Sequence, residues 1–189
     1  KQLGVYLNPG RVRTANISPQ YAILVERERP NVIKLTRELA REGTTGGLAY
    51  VSLTQRLEKV NRAPQDEKQA GVAFEDLQRV EAAADVVVFN DSLIDVINVL
   101  ADLSNGKLPR MQSSPTEPKS AQGAGSHMVG NPRYGQWQRN SSGQSFWAFY
   151  GQYALMRSLF FSPRPYYYSN WYSNRGWSYY GNVGRHYYG

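Results

Sequence analysis

Cysteine is absent from the 189 residues, which excludes a disulfide framework, a thiol nucleophile and a zinc–thiolate site. Histidine occurs only at His127 and His186, too sparse a supply for a catalytic triad or a His-rich metal site. No GxxxxGK loop followed by Ser or Thr is present. The nearest approach, REGTTGG at 41–47, has no lysine to meet a phosphate. Acidic residues and lysine are missing from residue 126 onward. These absences leave no catalytic, cofactor-binding or metal-ligating set, and a non-catalytic protein is expected.

What remains is divided unevenly along the chain. Residues 126–189 carry six arginines (Arg133, Arg139, Arg157, Arg164, Arg175 and Arg185), leaving 16 basic against 15 acidic residues in 1–125. The pI of about 9.6 therefore belongs to the C-terminal part. Aromatic residues follow the same division, 19 of the 24 lying after residue 126. A neutral half joined to a cationic, ring-rich half points to a partner for the latter. The chain begins at Lys1, which leaves room upstream for a signal peptide or a lipid anchor.

Residues 1–104 read as a small helical domain. Ser18 and Pro19 give a cap and a first-turn proline, and Pro30 closes that helix. Asn31 can cap the next helix, which places Val32, Leu35 and Leu39 on one face and ends at Gly43. Tyr50, Leu53, Leu57 and Val60 repeat at helical spacing up to Pro64. Val86, Phe89, Leu93, Val96, Leu100 and Leu103 form a further stripe. The run DVVVFNDS also suits a short buried strand, because β-branched residues favour strands. With LGVYL and LAYVSL as sister strands, the alternative is a small α/β domain with a three-stranded sheet.

Under that alternative, AADVVVFNDSLIDVINVLADL (83–103) resembles the end of a small nucleotide kinase, where a last strand ending in Asn-Asp leads into a closing helix. The resemblance covers about 20 residues and comes without a phosphate loop. Asp91 and Asp95 stand one helical turn apart and in principle share a cation, although a solvated helix face is the better explanation of them.

Residues 105–130 form a Pro/Ser/Gly-rich linker. Gly125–Met128 spells GSHM, a string commonly left by expression-vector cloning; as a scar it would join two polypeptides to be read separately. Residues 131–189 form an aromatic and Arg-rich packing module, largely irregular, with one helix at about 145–161 capped by Ser145 and stopped before Pro163. Such a helix spans roughly 25 Å, short of a bilayer crossing.

The tail from 162 repeats rings, then Ser, Asn or Gly, then Arg. Its expected partner-binding residues are Arg157, Arg164, Tyr166, Tyr167, Tyr168, Trp171, Tyr172, Arg175, Trp177, Tyr179, Tyr180 and Arg185. Rings of this kind offer area at low entropic cost, so a protein partner or self-association is expected. A membrane interface and, through stacking and phosphate pairing, single-stranded nucleic acid are the further candidates. An envelope-associated or extracytoplasmic setting fits the pattern.

Overall fold

The structure, a computed structural model, describes residues 13–111, 123–175 and 178–188. It is mostly helical with one small sheet. The expected LGVYL strand lies outside the described residues, as do residues 112–122 of the expected linker.

Helix α1 (Arg13–Glu28) runs through Pro19 instead of starting there. A proline inside a helix removes one backbone donor. Here the extra turn is held from outside: Thr14 donates to Asn90 Oδ1 from both N–H and Oγ1, at 2.9 and 2.8 Å. Pro30 closes α1 as expected, but Asn31 is not a cap. It sits in a 3₁₀ turn (Pro30–Val32), and helix α2 (Ile33–Arg41) follows Val32 with no side-chain cap. The predicted face of Val32, Leu35 and Leu39 is fully buried.

Helix α3 (Leu48–Lys59) and helix α4 (Glu67–Ala83) form a hairpin. Asp66 caps α4 by accepting from Gln69 N–H at 2.7 Å, the expected carboxylate at a helix N-terminus. Ala83 and Val80 anchor the C-terminal end of α4. Val72, Phe74 and Leu77 remain exposed.

The Val86–Val88 run is helical, so the three-stranded α/β alternative is corrected, and with it the last strand on which the kinase resemblance rested. Asp85 caps helix α5 (Val86–Ser92) by accepting from Val87 and Val88 N–H. The cap outweighs the modest strand preference of three valines. The chain kinks at Leu93 and continues as helix α6 (Ile94–Leu103), buried on almost every side. Asp91 and Asp95 therefore lie on separate helices.

The linker expectation changes at its far end. Residues Gly123–His127 form a short helical turn, α7, and His127, Met128 and Val129 are buried. Met128 joins α1, α2 and α6 in one hydrophobic cluster that also takes in Tyr134, Tyr153 and Met156. The GSHM string therefore lies inside a core that contains residues from both halves.

The helix expected at 145–161 is also corrected. Strand β1 (Gly135–Arg139) pairs antiparallel with strand β2 (Ser145–Phe149), with Trp137 opposite Trp147. Asn140 organises the turn: its Oδ1 accepts from Ser142 and Gln144 N–H, and Gly143 adopts φ +77°. A positive φ suits glycine, while the aromatic run Phe146–Phe149 suits a pleated surface. After a turn at Gly151–Tyr153, a π-type turn at Arg157–Phe161 is what remains of the expected helix. The chain ends with helix α8 (Tyr168–Asn174), a π-type turn at Tyr180–Gly184 and the short helix α9 (Arg185–Tyr188). The end of the tail meets the α3–α4 hairpin, where Arg56 donates to the Tyr187 carbonyl.

Candidate interaction face

Residues 168, 171, 172 and 175 follow i, i+3, i+4, i+7 spacing along and just beyond α8, so they share one helix face. That face lies against the Trp137–Trp147 cross-strand pair. The rings form a chain from core to surface. Trp147 is buried; Trp137 meets it edge-on at 5.1 Å, Tyr168 meets Trp137 at 5.0 Å, and Tyr172 lies 6.1 Å from Tyr168. Trp171 wedges in beside them, 5.6 Å from Trp137 and 5.5 Å from Tyr168. Such edge-on and tilted pairs each contribute about 0.5–1.5 kcal/mol beyond area burial.

Two guanidinium groups sit over this chain of rings. Arg175 lies 4.4 Å above Tyr172 and Arg185 lies 5.8 Å from Trp171. At an exposed site a cation over a ring is worth about 0.5–1 kcal/mol. With no carboxylate anywhere in 126–189, the charges that this segment brings to the face are all positive.

The expected partner-binding residues divide into two groups. Tyr166, Trp171, Tyr179 and Tyr180 are buried in the protein's own core, and burial pushes the Tyr166 and Tyr180 phenols above the usual tyrosine range. Tyr167 is half-buried; it forms an isolated bridge with Phe146, and its carbonyl accepts from Asn170 and Trp171 N–H. Tyr168 and Tyr172 keep 41% and 54% of their surface exposed. Arg157, Arg164 and Arg185 are exposed and Arg175 is half-buried. Trp177 lies outside the described residues. The outward-facing rings are therefore Tyr168 and Tyr172, with half-buried Arg175 over Tyr172 and Trp137 at their edge, and Arg157, Arg164 and Arg185 are the exposed cations of the expected set.

A second group of polar residues lies beneath, between the helices and the sheet. Glu42 is buried, and its carboxylate accepts from Tyr153 Oη and from Leu48 N–H, both at 2.9 Å. Burial raises the Glu42 carboxyl above its ordinary value, against the opposing pull of Arg133 and these hydrogen bonds. Tyr134 meets Tyr153 edge-on at 5.2 Å, and both phenols are raised far above the ordinary range by burial and by the Glu42 charge.

Nearby, His127 Nδ1 lies 3.4 Å from Asp95 Oδ1, with both side chains buried. Ser126 and Ser178 line the adjoining cavity with His127 and Arg175. This places serine, histidine and aspartate together, but the cavity measures about 10 Å³, room for roughly one water.

The sequence pattern missed Glu42, Tyr153 and His127, and it set Asp95 beside Asp91, whereas the structure sets it beside His127. His127 sat in a stretch whose Gly and Ser content reads as a tether. Glu42 and Tyr153 lay on ordinary helical or aromatic stretches, where nothing local marks a distant partner. Trp137 and Trp147 had a signal: the Asn140–Gly143 turn between them sets a hairpin register. Among the described residues no group of His, Asp and Glu is placed to hold a metal, and no helix is long and apolar enough to cross a membrane. No protein-family model, curated protein or solved structure matches the chain.

Proposed function

We propose that the chain is a non-catalytic structural or interaction protein that docks on a protein partner, an assembly or a membrane interface through the Tyr168–Tyr172–Arg175 face. The observation that carries this reading is the chain of rings running from buried Trp147 to exposed Tyr172 under a guanidinium. Rings locked from behind lose little entropy on binding, and an acid-free surround favours an anionic or π-rich contact. The test is sedimentation of the full chain and of a Tyr168→Ala/Tyr172→Ala variant, alone and with anionic or neutral vesicles, from about 50 to about 500 mM salt. The reading expects association that survives salt and is lost in the variant.

Exposed tyrosines beside arginines favour a second reading, single-stranded nucleic-acid binding by stacking. Its mark is a steep salt dependence, with a log–log slope near about −4 if all six arginines meet phosphates. A chain that associates with nothing but an oligonucleotide, with that slope, replaces the first reading by the second.

A further inference from the structure

Glu67, Ala70, Phe74, Leu77 and Glu81 recur at three- and four-residue spacing along α4, so they form one stripe. All five are exposed, and Phe74 and Leu77 keep 61% and 46% of their surface accessible. A groove of about 280 Å³ runs beside the two apolar residues, walled by Leu57 and Val60 and lined also by Arg62. Glu67 and Glu81 stand at the two ends of the stripe, about 21 Å apart along the helix. Neither makes an ion pair among the described residues, whereas Arg79, off the stripe, is held by Glu75 and Asp76, both at 3.4 Å. From Asp66 to Asp85 the chain carries six carboxylates against Lys68 and Arg79. An exposed apolar strip with a charged rim marks a docking surface, and this rim is negative.

The ring face on α8 has the opposite rim. Arg175 stands 4.4 Å over Tyr172 and Arg185 lies 5.8 Å from Trp171. Neither guanidinium has a carboxylate partner among the described residues. The two surfaces are complementary in both respects, rings against Phe74 and Leu77, and guanidinium against carboxylate. They do not satisfy each other within one chain, because Tyr172 and Phe74 keep 54% and 61% of their surface exposed.

We propose that the Tyr168–Tyr172 face of one copy docks on the Glu67–Glu81 stripe of a second copy. The stripe's negative rim disfavours nucleic acid and anionic lipid and calls for an apolar surface that carries cations. This chain presents such a surface itself, with both of its nearest guanidiniums left without a carboxylate. Because the two surfaces differ, the contact is head-to-tail, and repetition builds a ring or an open chain. The inference rests on the reading of the Tyr168–Tyr172 face as a docking surface and names its partner.

The test is sedimentation equilibrium of the full chain, of a stripe variant, Glu67→Lys/Glu81→Lys, and of the face variant Tyr168→Ala/Tyr172→Ala. Glu67 and Glu81 are exposed, so the stripe variant spares the monomer fold. The average mass of the wild type is expected to rise with concentration up to about 100 µM, and each variant alone should associate about tenfold or more weakly. An equimolar mixture should form a one-to-one pair and nothing larger, because each variant keeps one working surface. A wild type that stays monomeric, a stripe variant that associates as well as the wild type, or a mixture that forms no pair would each overturn the proposal. Should the face variant unfold, Arg175→Gln/Arg185→Gln takes its place in the mixture. Vesicle binding separates the two readings. A monomeric wild type that binds vesicles through Tyr168 and Tyr172, with the stripe variant binding equally, overturns the second copy as partner and leaves the docking face standing. Loss of both self-association and vesicle binding in the wild type overturns the face as well.

Discussion

Tyr153 donates its phenol hydrogen to Glu42 Oε1 across 2.9 Å and 111 positions of sequence, with both groups buried. This bond ties the turn after β2 to the end of α2 inside the cluster that holds Met128, Tyr134 and Met156. Removing one partner leaves a buried carboxylate short of a donor, which costs about 1–3 kcal/mol. Tyr153→Phe is accordingly expected to lower the unfolding free energy measured in urea by that amount. Glu42→Gln, which keeps an acceptor of the same shape, should cost less. Equal losses for the two variants would show that shape rather than the hydrogen bond matters.

Glu42 also sets a pH dependence with a definite sign. Its folded-state carboxyl is raised above the ordinary 4.5, chiefly by burial. The folded state therefore binds this proton more tightly than the unfolded chain. The stability it contributes is fully present below 4.5 and is lost as pH rises through the folded value. Urea midpoints measured from about pH 4 to about pH 8 should show the wild type gaining stability relative to Glu42→Gln as pH falls. A difference that is flat or of opposite slope contradicts this.

Cutting the chain between residues 105 and 122 should not release two independent modules. Met128, Tyr134, Tyr153 and Met156 are all buried against α1, α2 and α6, and large side chains of this kind are worth about 1.5–3 kcal/mol each. The two pieces are expected to co-elute after limited proteolysis, and an isolated 1–104 fragment should unfold at markedly lower urea. A fragment that keeps the parent midpoint would support separate modules.

Gly130 has φ +85°, and a Cβ added there would fall 2.2 Å from the Trp171 indole. Gly130→Ala thus meets both a backbone that disfavours side chains and a ring fixed between Trp137 and Tyr168. A loss of about 2 kcal/mol or more is expected, together with a changed tryptophan emission as Trp171 moves. A silent variant would mean that the indole can relocate freely.

The helical half was largely legible. Periodic apolar residues at Val32, Leu35, Leu39, Leu53, Phe89 and Leu100 became buried faces, because a helix's core-facing stripe is written at local spacing. Pro30 closed α1 for an equally local reason, the missing donor. Where the reading failed, a distant contact had overruled a local preference. Pro19 lies inside a helix because Asn90 holds the preceding turn. The aromatic run at 145–149 became a strand because β1 was there to pair with it.

The same division governs the candidate face. Composition alone determined that a cationic, acid-free, ring-rich segment follows a neutral one, since charge and ring content are properties of the chain. Which rings face outward was decided only by tertiary packing. Tyr166, Trp171, Tyr179 and Tyr180 were drawn inward to fill the space left by the hairpin and helices, while Tyr168 and Tyr172 were left at the surface. Tyrosine and tryptophan have an apolar body with a polar tip and suit either place. Only the shape of the surrounding core assigns each ring to one or the other.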